Sequence, residues 1–566
     1  MLLICLSWLY ILFTVVNLGV VVDKITRSTS DNIVTYSFKG LFLATIIASC
    51  WAIFGRINWE FHTMLLLFNI VFTLKCRSEI KAIYQSFYIS LLSLSKPLAL
   101  FLCLNILLIC AQCASIPFLI DNETYYIQTI KWLNEYGLVK GLANLHIFFG
   151  QTSGWHIAQS AFNFSFIYSN FNDLSGFCLI LGNLFAIQKL NAFFSNSNKT
   201  YLIVGLLPIA NVLLFQFISA PSPDIAVYTI SFIVFFYFIE NYKDCSSDAF
   251  KTLVILVLLM MYCKPTTFLM ALLPLSLLVI HFKTLSHQLF WCFTMAVLIL
   301  GLYITKNTLL TGYPLFPLTS WDWNTYDFKV PRQLVDFYFN EKRMYRFFLT
   351  QEEYQSLSLV QKCTRWLSTN TVSGLFNGLS VLLAIVLPLF IKKLATRRAF
   401  WWLYTLMIVQ LVLLLTTSPQ YRFFIHFTLF FAFVLASLII KGKNTITLLL
   451  YASVVPVVVT LFFPLNYSRL TQNQLIWKNS NFSKRNLVFP YQNSKLKTTF
   501  HTVINGNLTY YSPDSTTFFW ANGNGALPCV NEAQLDYFGT RFHFVPQQRS
   551  EDIGDGFYAK KWLEND

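Results

Sequence analysis

The chain has 566 residues, of which 55% are hydrophobic, 17% aromatic and only 12% charged, where soluble domains carry about 25% charged residues. That balance excludes an ordinary soluble enzyme. The formal charge of +15 does not point to nucleic acid either, because Lys and Arg collect in short loops between apolar runs, as they do in membrane proteins. The runs are about 17–22 residues long, enough to cross a bilayer as helices.

About 14 spans are expected by length and hydropathy. They lie near 1–22, 38–55, 61–75, 98–118, 175–193, 201–218, 225–241, 250–263, 266–282, 289–305, 373–391, 399–416, 423–440 and 444–464. Met1–Val22 reads as a first span rather than a signal sequence, since it lacks a basic start and a small-residue cleavage site. Between spans the loops alternate. One set is short and basic: Lys24 and Arg27; Lys75, Arg77 and Lys81; Lys189 and Lys199; Lys243 and Lys251; Lys283; Lys392, Lys393, Arg397 and Arg398; Lys441 and Lys443. It is expected to face the cytoplasm. The other set is 119–174, 219–224, 306–372, 417–422 and everything after 464. It holds most of the acids outside the spans and is expected to face outward.

The alternation holds only if Trp155–Phe171 does not cross. It is aromatic but interrupted by His156, Gln159, Ser160, Asn163 and Asn170, which suits an interfacial helix at headgroup depth. The tail, Asn466–Asp566, changes composition. It has turn signals at Asn505-Gly506-Asn507 and Asn522-Gly523-Asn524-Gly525, and short β-like runs such as Leu508–Tyr511. The expected fold is therefore mainly α and polytopic, with interfacial helices. A transmembrane module over 1–464 carries outer loops 119–174 and 306–372. A small extracytoplasmic α/β or β-rich domain fills 465–566. The 12 cysteines lie mostly inside apolar spans, so a zinc site or disulfide framework is not expected. No GxxxxGK[ST], HExxH or GxSxG motif is present, so a substrate must arrive already activated.

The candidate chemistry lies in the outward set. Asp121 and Glu123, in Ile120-Asp121-Asn122-Glu123-Thr124-Tyr125-Tyr126, open the first large loop at a span's mouth. A carboxylate at a low-dielectric boundary has a raised pKa and suits a general base. Glu123 alternatively caps the helix that follows. An amphipathic helix and a glycine turn then lead to His146, a proton shuttle, a phosphate contact or a satisfied interfacial histidine. Ser219-Ala220-Pro221-Ser222-Pro223-Asp224 is a proline-stiffened turn in which Asp224 either caps a helix or meets substrate. Lys264, before Pro265, runs against the charge rule and marks a functional group at membrane depth, or a snorkelling lysine. Ser418-Pro419-Gln420-Tyr421-Arg422-Phe423 is a tight outer loop whose Arg422, beside Tyr421, suits bidentate phosphate recognition or interfacial anchoring. Trp321-Asp322-Trp323 can stack a sugar ring, or serve as an ordinary interfacial aromatic patch.

An acid soon after a span (Asp121), interfacial helices, a second acidic outer loop (Asp224) and an Arg in a short late loop (Arg422) together resemble the GT-C superfamily of membrane glycosyltransferases. The wording of Asp121–Tyr126, Glu135-Tyr136-Gly137, Gly141-Leu142-Ala143-Asn144-Leu145-His146 and Ser222-Pro223-Asp224 is similar to a bacterial polytopic family tied to cell-surface glycan synthesis. The likeness covers residues 98–430, with weaker echoes at Leu527-Pro528-Cys529. It implies sugar transfer, with inversion, from a polyprenyl phosphate or diphosphate donor. Asp121 is then the base, with Glu123 and His146 in the catalytic set. Lys264 and Arg422 clamp the carrier phosphate, with Asp224, Tyr421, Trp321 and Trp323 binding substrate. The chain departs from the superfamily in having three extra spans before the acidic loop and in separating its acids by Asn122. That leaves a divalent cation, Mg or Mn, open; the sequence shows no ligand cluster for one.

The sequence thus leads to a glycosyltransferase in a bacterial inner membrane, with its site and tail facing the exterior or periplasm. Its partners would be a polyprenyl-linked sugar donor, a glycan, lipid or protein acceptor, and membrane lipids, with no nucleic acid. A surface-polysaccharide polymerase or ligase is the alternative. A lipid-linked glycan transporter fits less well, since it predicts charged spans and two similar halves.

Overall fold

The structure, a computed structural model, describes residues 1–169, 174–322, 324–347, 349–369, 371–440, 442–470, 473–479 and 482–561. Each expected span carries a helix. Among the described residues ten helices are long and apolar enough to cross a membrane: Leu2–Thr26, Ile33–Phe54, Lys96–Cys113, Leu174–Asn196, Lys199–Phe217, Pro223–Glu240, Phe282–Thr311, Val372–Ile391, Arg397–Thr417 and Lys443–Phe462. Pro265–Ile280 and Ile425–Ile439 are apolar but shorter. The other two expected spans are the helices Trp59–Lys75 and Ser247–Cys263.

Local sequence accounts for many helix ends. Asn32, Asn198, Ser222 and Ser246 each accept a backbone N–H in the first turn that follows, which satisfies a donor no helix can satisfy itself. Pro223 sits at the first helical position, where its missing N–H costs nothing. Helix Pro223–Glu240 is enclosed on nearly all sides, 89% of its apolar window being buried, against 17% for Phe282–Thr311. The former is thus the bundle's centre and the latter its rim. The first two helices touch backbone to backbone. A Cβ on Gly40 would overlap the Val15 carbonyl and one on Gly19 the Tyr36 carbonyl, the close approach that small residues allow.

Side chains tie the loops into two separate polar ends. At one end Thr29 bonds Asp248, Lys251 donates to the Thr26 carbonyl at 2.7 Å, and Tyr237 donates to Asp31 at 2.6 Å. Lys24 pairs with Glu79 there at 2.7 Å. These residues belong to the short basic loops or adjoin them. At the other end the first large loop, the 219–224 turn, the central loop, the 417–422 loop and the tail meet. Asn144 donates to the Phe328 carbonyl at 2.8 Å, Trp366 to the Pro419 carbonyl at 2.8 Å, and Asn486 to the Ala114 carbonyl at 2.8 Å. The loops joined at each of these ends belong to a single one of the two sets that the sequence separates.

Four details differ from the sequence expectations. Helix Arg77–Leu92 has no counterpart among the expected spans; its neighbours Trp59–Lys75 and Lys96–Cys113 end and begin on the basic side, so it stays there. The stretch expected as an interfacial helix forms Gly154–Ala161, all of whose residues are buried. It is enclosed by protein, its Ser160 carbonyl accepting from Asn134 at 3.2 Å, so it is an interior helix and not a headgroup-depth one. Lys306, expected in the central loop, lies within helix Phe282–Thr311, which runs on to the left-handed Gly312. Finally, the spans, nearly charge-free in sequence, enclose a buried ion pair: Lys39 in the second helix pairs with Asp23 at 2.6 Å.

The tail carries two antiparallel two-stranded sheets. Strand β1 (Phe500–Asn505) pairs with β2 (Leu508–Pro513) through the expected Gly506 turn, where φ is 62°. Strand β3 (Phe544–Gln548) pairs with β4 (Phe557–Lys561), and helix Glu532–Phe542 precedes them. The tail is clasped to the first large loop. Phe557 N–H donates to the Lys140 carbonyl at 2.9 Å, and Gln128 and Lys131 donate to the carbonyls of the 523–525 turn, including Gly525 at 2.8 Å from Lys131. The central loop has structure of its own, with helices Arg332–Arg346, Gln351–Ser356 and Leu359–Leu367. Reciprocal caps start the last two, Thr350 with Glu353 and Ser358 with Gln361.

A buried charge cluster as candidate active site

Four segments far apart in sequence bring Asp121, Asp224, Lys264 and Arg422 together. Arg422 Nη1 donates to Asp121 Oδ2 and lies 3.8 Å from Asp224 Oδ2. Lys264 Nζ pairs with Asp224 Oδ1. Side-chain exposure grades the group: 3% for Asp224 and 13% for Lys264, against 21% for Asp121 and 24% for Arg422. Asp224 is thus the buried anchor that both cations share. The Asp121–Arg422 pair is the end that opens outward.

Each side chain is held by its own element. Asp224 occupies the first turn of the central helix, where Ser222 accepts its N–H and the helix dipole favours a negative charge. Lys264 sits in extended backbone between Ser247–Cys263 and the turn that begins at Pro265; the residue before a proline is pushed out of helix. Arg422 lies in the single turn Tyr421–Phe423. Its Nε donates to Gln420 Oε1, and its carbonyl accepts the Tyr228 hydroxyl at 2.6 Å. Tyr421 stacks on Phe376, centroids 5.2 Å apart. The Phe423 ring takes Lys264 Nζ at 4.0 Å from its centroid and the Arg422 guanidinium at 5.3 Å, a placement the ring's negative face favours.

Asp121 precedes a π-helical turn, Asn122–Tyr126, that continues as helix Ile127–Glu135. The wider turn inserts one extra residue per repeat and is common at functional sites. Its Tyr125 and Tyr126 meet edge to face at 4.7 Å, and His156 packs on Tyr126 at 4.8 Å. Burial and, less, the Lys306 charge hold His156 down to about 3, against a smaller opposite effect of Asp121. It is a neutral ring beneath the charges. Tyr228, Gln420, Phe423 and His156 were not among the sequence candidates. Tyr228 alone carried a signal, since it follows Asp224 by one helical turn on the same face.

The remaining candidates stand apart from this cluster. Glu123 is buried and engaged by the tail: it accepts from Ser494 Oγ at 2.6 Å, Lys495 N–H at 2.8 Å and Asn122 Nδ2 at 3.2 Å. It therefore serves as a tail anchor, in place of the catalytic role or helix cap read from sequence. His146 lies among Phe148, Phe149 and Trp520, and its Nδ1 accepts the Phe148 N–H at 3.2 Å. Burial holds it down to about 3. The ring is therefore neutral at physiological pH and sits in an aromatic pocket apart from the four charges. Trp321 is 46% exposed and Asp322 pairs with Lys329; Trp323 lies outside the described residues.

A divalent cation does not fit this donor set. Asp121 and Asp224 already face cations, and among the described residues no group of three or more His, Cys, Asp or Glu side chains is placed to hold a metal.

A family model described as "Domain of unknown function (DUF8201)" matches residues 1–429. The matched stretch includes all four charges of the cluster and leaves out the tail. No curated protein and no solved structure matches the chain.

Proposed function

Because this chain belongs to the DUF8201 family, whose description names no reaction, its activity has to be argued from the site, and we propose a membrane glycosyltransferase of the GT-C type. It moves a sugar from a polyprenyl phosphate or diphosphate carrier to an acceptor outside a bacterial inner membrane. The observation that carries this reading is the graded cluster of two acids and two cations at the loop-rich end. Withdrawing four charges from water is expensive, and such groups add little net stability. Their burial together at the loop-rich end is better explained by a ligand.

The cluster suggests an exchange of partners. The carrier phosphate displaces Asp121 from Arg422, a side chain whose planar fork suits phosphate. Lys264 adds a second positive charge while Asp224 fixes both cations. The freed Asp121 carboxylate then takes the proton from an acceptor hydroxyl. The acceptor oxygen bonds to the anomeric carbon from the face opposite the carrier. The carbon–oxygen bond to phosphate breaks, and its electron pair stays on the phosphate oxygen, where Arg422 and Lys264 stabilise it. Basic loops at the opposite end support the outward orientation.

The test uses full-length protein in detergent with a radiolabelled polyprenyl-phosphate sugar. Asp121→Asn should lower transfer at least about hundredfold, the usual scale for losing a general base. It should bind the carrier phosphate as tightly as the parent or more so, because a neutral amide competes less than a carboxylate for Arg422. Full transfer by Asp121→Asn would remove this mechanism.

A further inference from the structure

Two cysteines meet at the loop-rich end of the bundle. Cys5 lies in the first turn of helix Leu2–Thr26 and Cys110 in the last turn of helix Lys96–Cys113. Their sulfurs are 3.4 Å apart across 105 positions of chain. A disulfide brings two sulfurs to about 2.0 Å, and side-chain rotation within a packed helix pair can cover the difference.

The pair lies under the tail. Leu3 N–H donates to the Val488 carbonyl at 3.3 Å, and the Ala114 carbonyl accepts Asn486 Nδ2 at 2.8 Å and the Tyr491 N–H at 2.9 Å. Each cysteine is thus within one helical turn, about 5 Å, of the segments that leave the bundle at this end. The two thiols differ in access. Cys5 is half-buried, whereas Cys110 is buried with its sulfur also 3.5 Å from the Met1 carbonyl. Cys113, one turn beyond Cys110, faces another element: its sulfur meets the Ile218 carbonyl at 3.4 Å and lies where a Cβ on Gly176 would fall.

We propose that Cys5 and Cys110 are joined by a disulfide in the working protein. Disulfides persist outside the cytoplasm and are rare within it, and the basic loops of the opposite end put this end outside. The inference rests on that orientation and not on the glycosyltransferase reading. The oxidant is a disulfide-bearing protein of the exterior. The Cys5 thiolate, the more accessible, attacks one sulfur of the donor's disulfide, forming a mixed disulfide and releasing the donor's other sulfur as a thiol. The Cys110 thiolate then attacks the Cys5 sulfur, and the donor leaves as a second thiol. Two cysteine thiols are oxidised, one donor disulfide is reduced, and the two protons pass to the donor sulfurs. The link fastens the first helix to the helix that leads into the Asp121 loop, and it closes a long loop of the unfolded chain, where such a constraint acts most.

The test uses the full-length protein made in a bacterial host. Cells are quenched in acid, and the denatured protein is alkylated without reductant. Digestion with chymotrypsin should then give a peptide pair in which Cys5 is joined to Cys110. The parent should take two fewer alkyl groups than the same protein reduced first. The pair should persist in Cys113→Ser and vanish in Cys110→Ser; the parent's own peptides decide the matter should either variant misfold. Alkyl groups on both Cys5 and Cys110 in the unreduced parent overturn the disulfide, as does Cys5 joined to Cys113 or to a second chain. A phosphatase fused to the chain's end and active in the same cells would place that failure in the cysteine pair and not in the orientation.

Discussion

At the scale of single residues the two acids of the first loop have opposite surroundings, although one residue separates them. Asp121 faces a guanidinium at the open end of the cluster. Glu123 faces the tail and is fully buried. Burial holds the Glu123 carboxyl above the ordinary carboxylate range, against the smaller opposing pull of Ser494, the Lys495 N–H and Asn122. The folded state then keeps a proton that the unfolded chain releases near about 4.3. This residue's contribution is greatest below that value and declines as pH rises toward the raised one. Glu123→Gln stays neutral and can still accept the Lys495 N–H, so it should flatten the pH dependence of tail stability and leave the tail in place at pH 8. Glu123→Ala should strip the acceptor from the buried Lys495 N–H at a cost of about 1–3 kcal/mol. Limited proteolysis of the 464–500 segment at pH 5 and pH 8 separates the two. A Gln variant as protease-sensitive as the Ala variant would show that the charge itself is required.

Elements meet where glycine permits it. Gly141 has φ 63° and Gly556 φ 104°. A Cβ on Gly141 would overlap the Phe557 carbonyl, and one on Gly556 the Lys140 carbonyl. The Gly141 N–H donates to the Leu309 carbonyl at 2.7 Å, so three segments cross at this point: the first loop, the end of helix Phe282–Thr311 and strand β4. Gly141→Ala should lose about 1–2 kcal/mol from its left-handed backbone alone, and more from the overlap. A lower melting temperature with early release of β4 in hydrogen exchange would register it; an unchanged melt would mean the strand shifts freely. The sequence marked Gly141 as a turn but not its partner, because a turn signal is local while the partner lies more than 400 positions on. The same holds for the cluster. Asp121, Asp224 and Arg422 were each legible as charges at the mouths of expected spans, and Lys264 as a charge against the loop rule. Their convergence came only through the family resemblance, since helical period says which face a residue takes and nothing about which distant face it meets. Helix Arg77–Leu92 escaped for the converse reason: it is too polar for a hydropathy reading of spans.

For the whole molecule, the charge cluster and the tail share one end, and the basic loops around Lys24, Glu79 and Lys251 share the other. Two forces set which end faces which compartment. Lys and Arg within short loops resist translocation, while long loops cross with little regard to charge. Here the forces agree. Lys392, Lys393, Arg397 and Arg398 fall in one short basic connection, whereas the central loop and the tail are long and sit at the opposite end. The exterior is also the compartment in which a nucleotide-free, lipid-carried donor is needed, so the orientation and the proposed chemistry stand or fall together. Fusions at the chain's end read it directly in a bacterial host. Alkaline phosphatase, active only outside the cytoplasm, should be active there; a fluorescent protein that folds only in the cytoplasm should stay dark. Replacing the four basic residues 392–398 by glutamine should leave this pattern largely in place, because the other basic loops still hold their end. A bright cytoplasmic fusion with silent phosphatase would put the acids and cations on the side where nucleotide sugars are made, and the case for a lipid-carried donor would go with it.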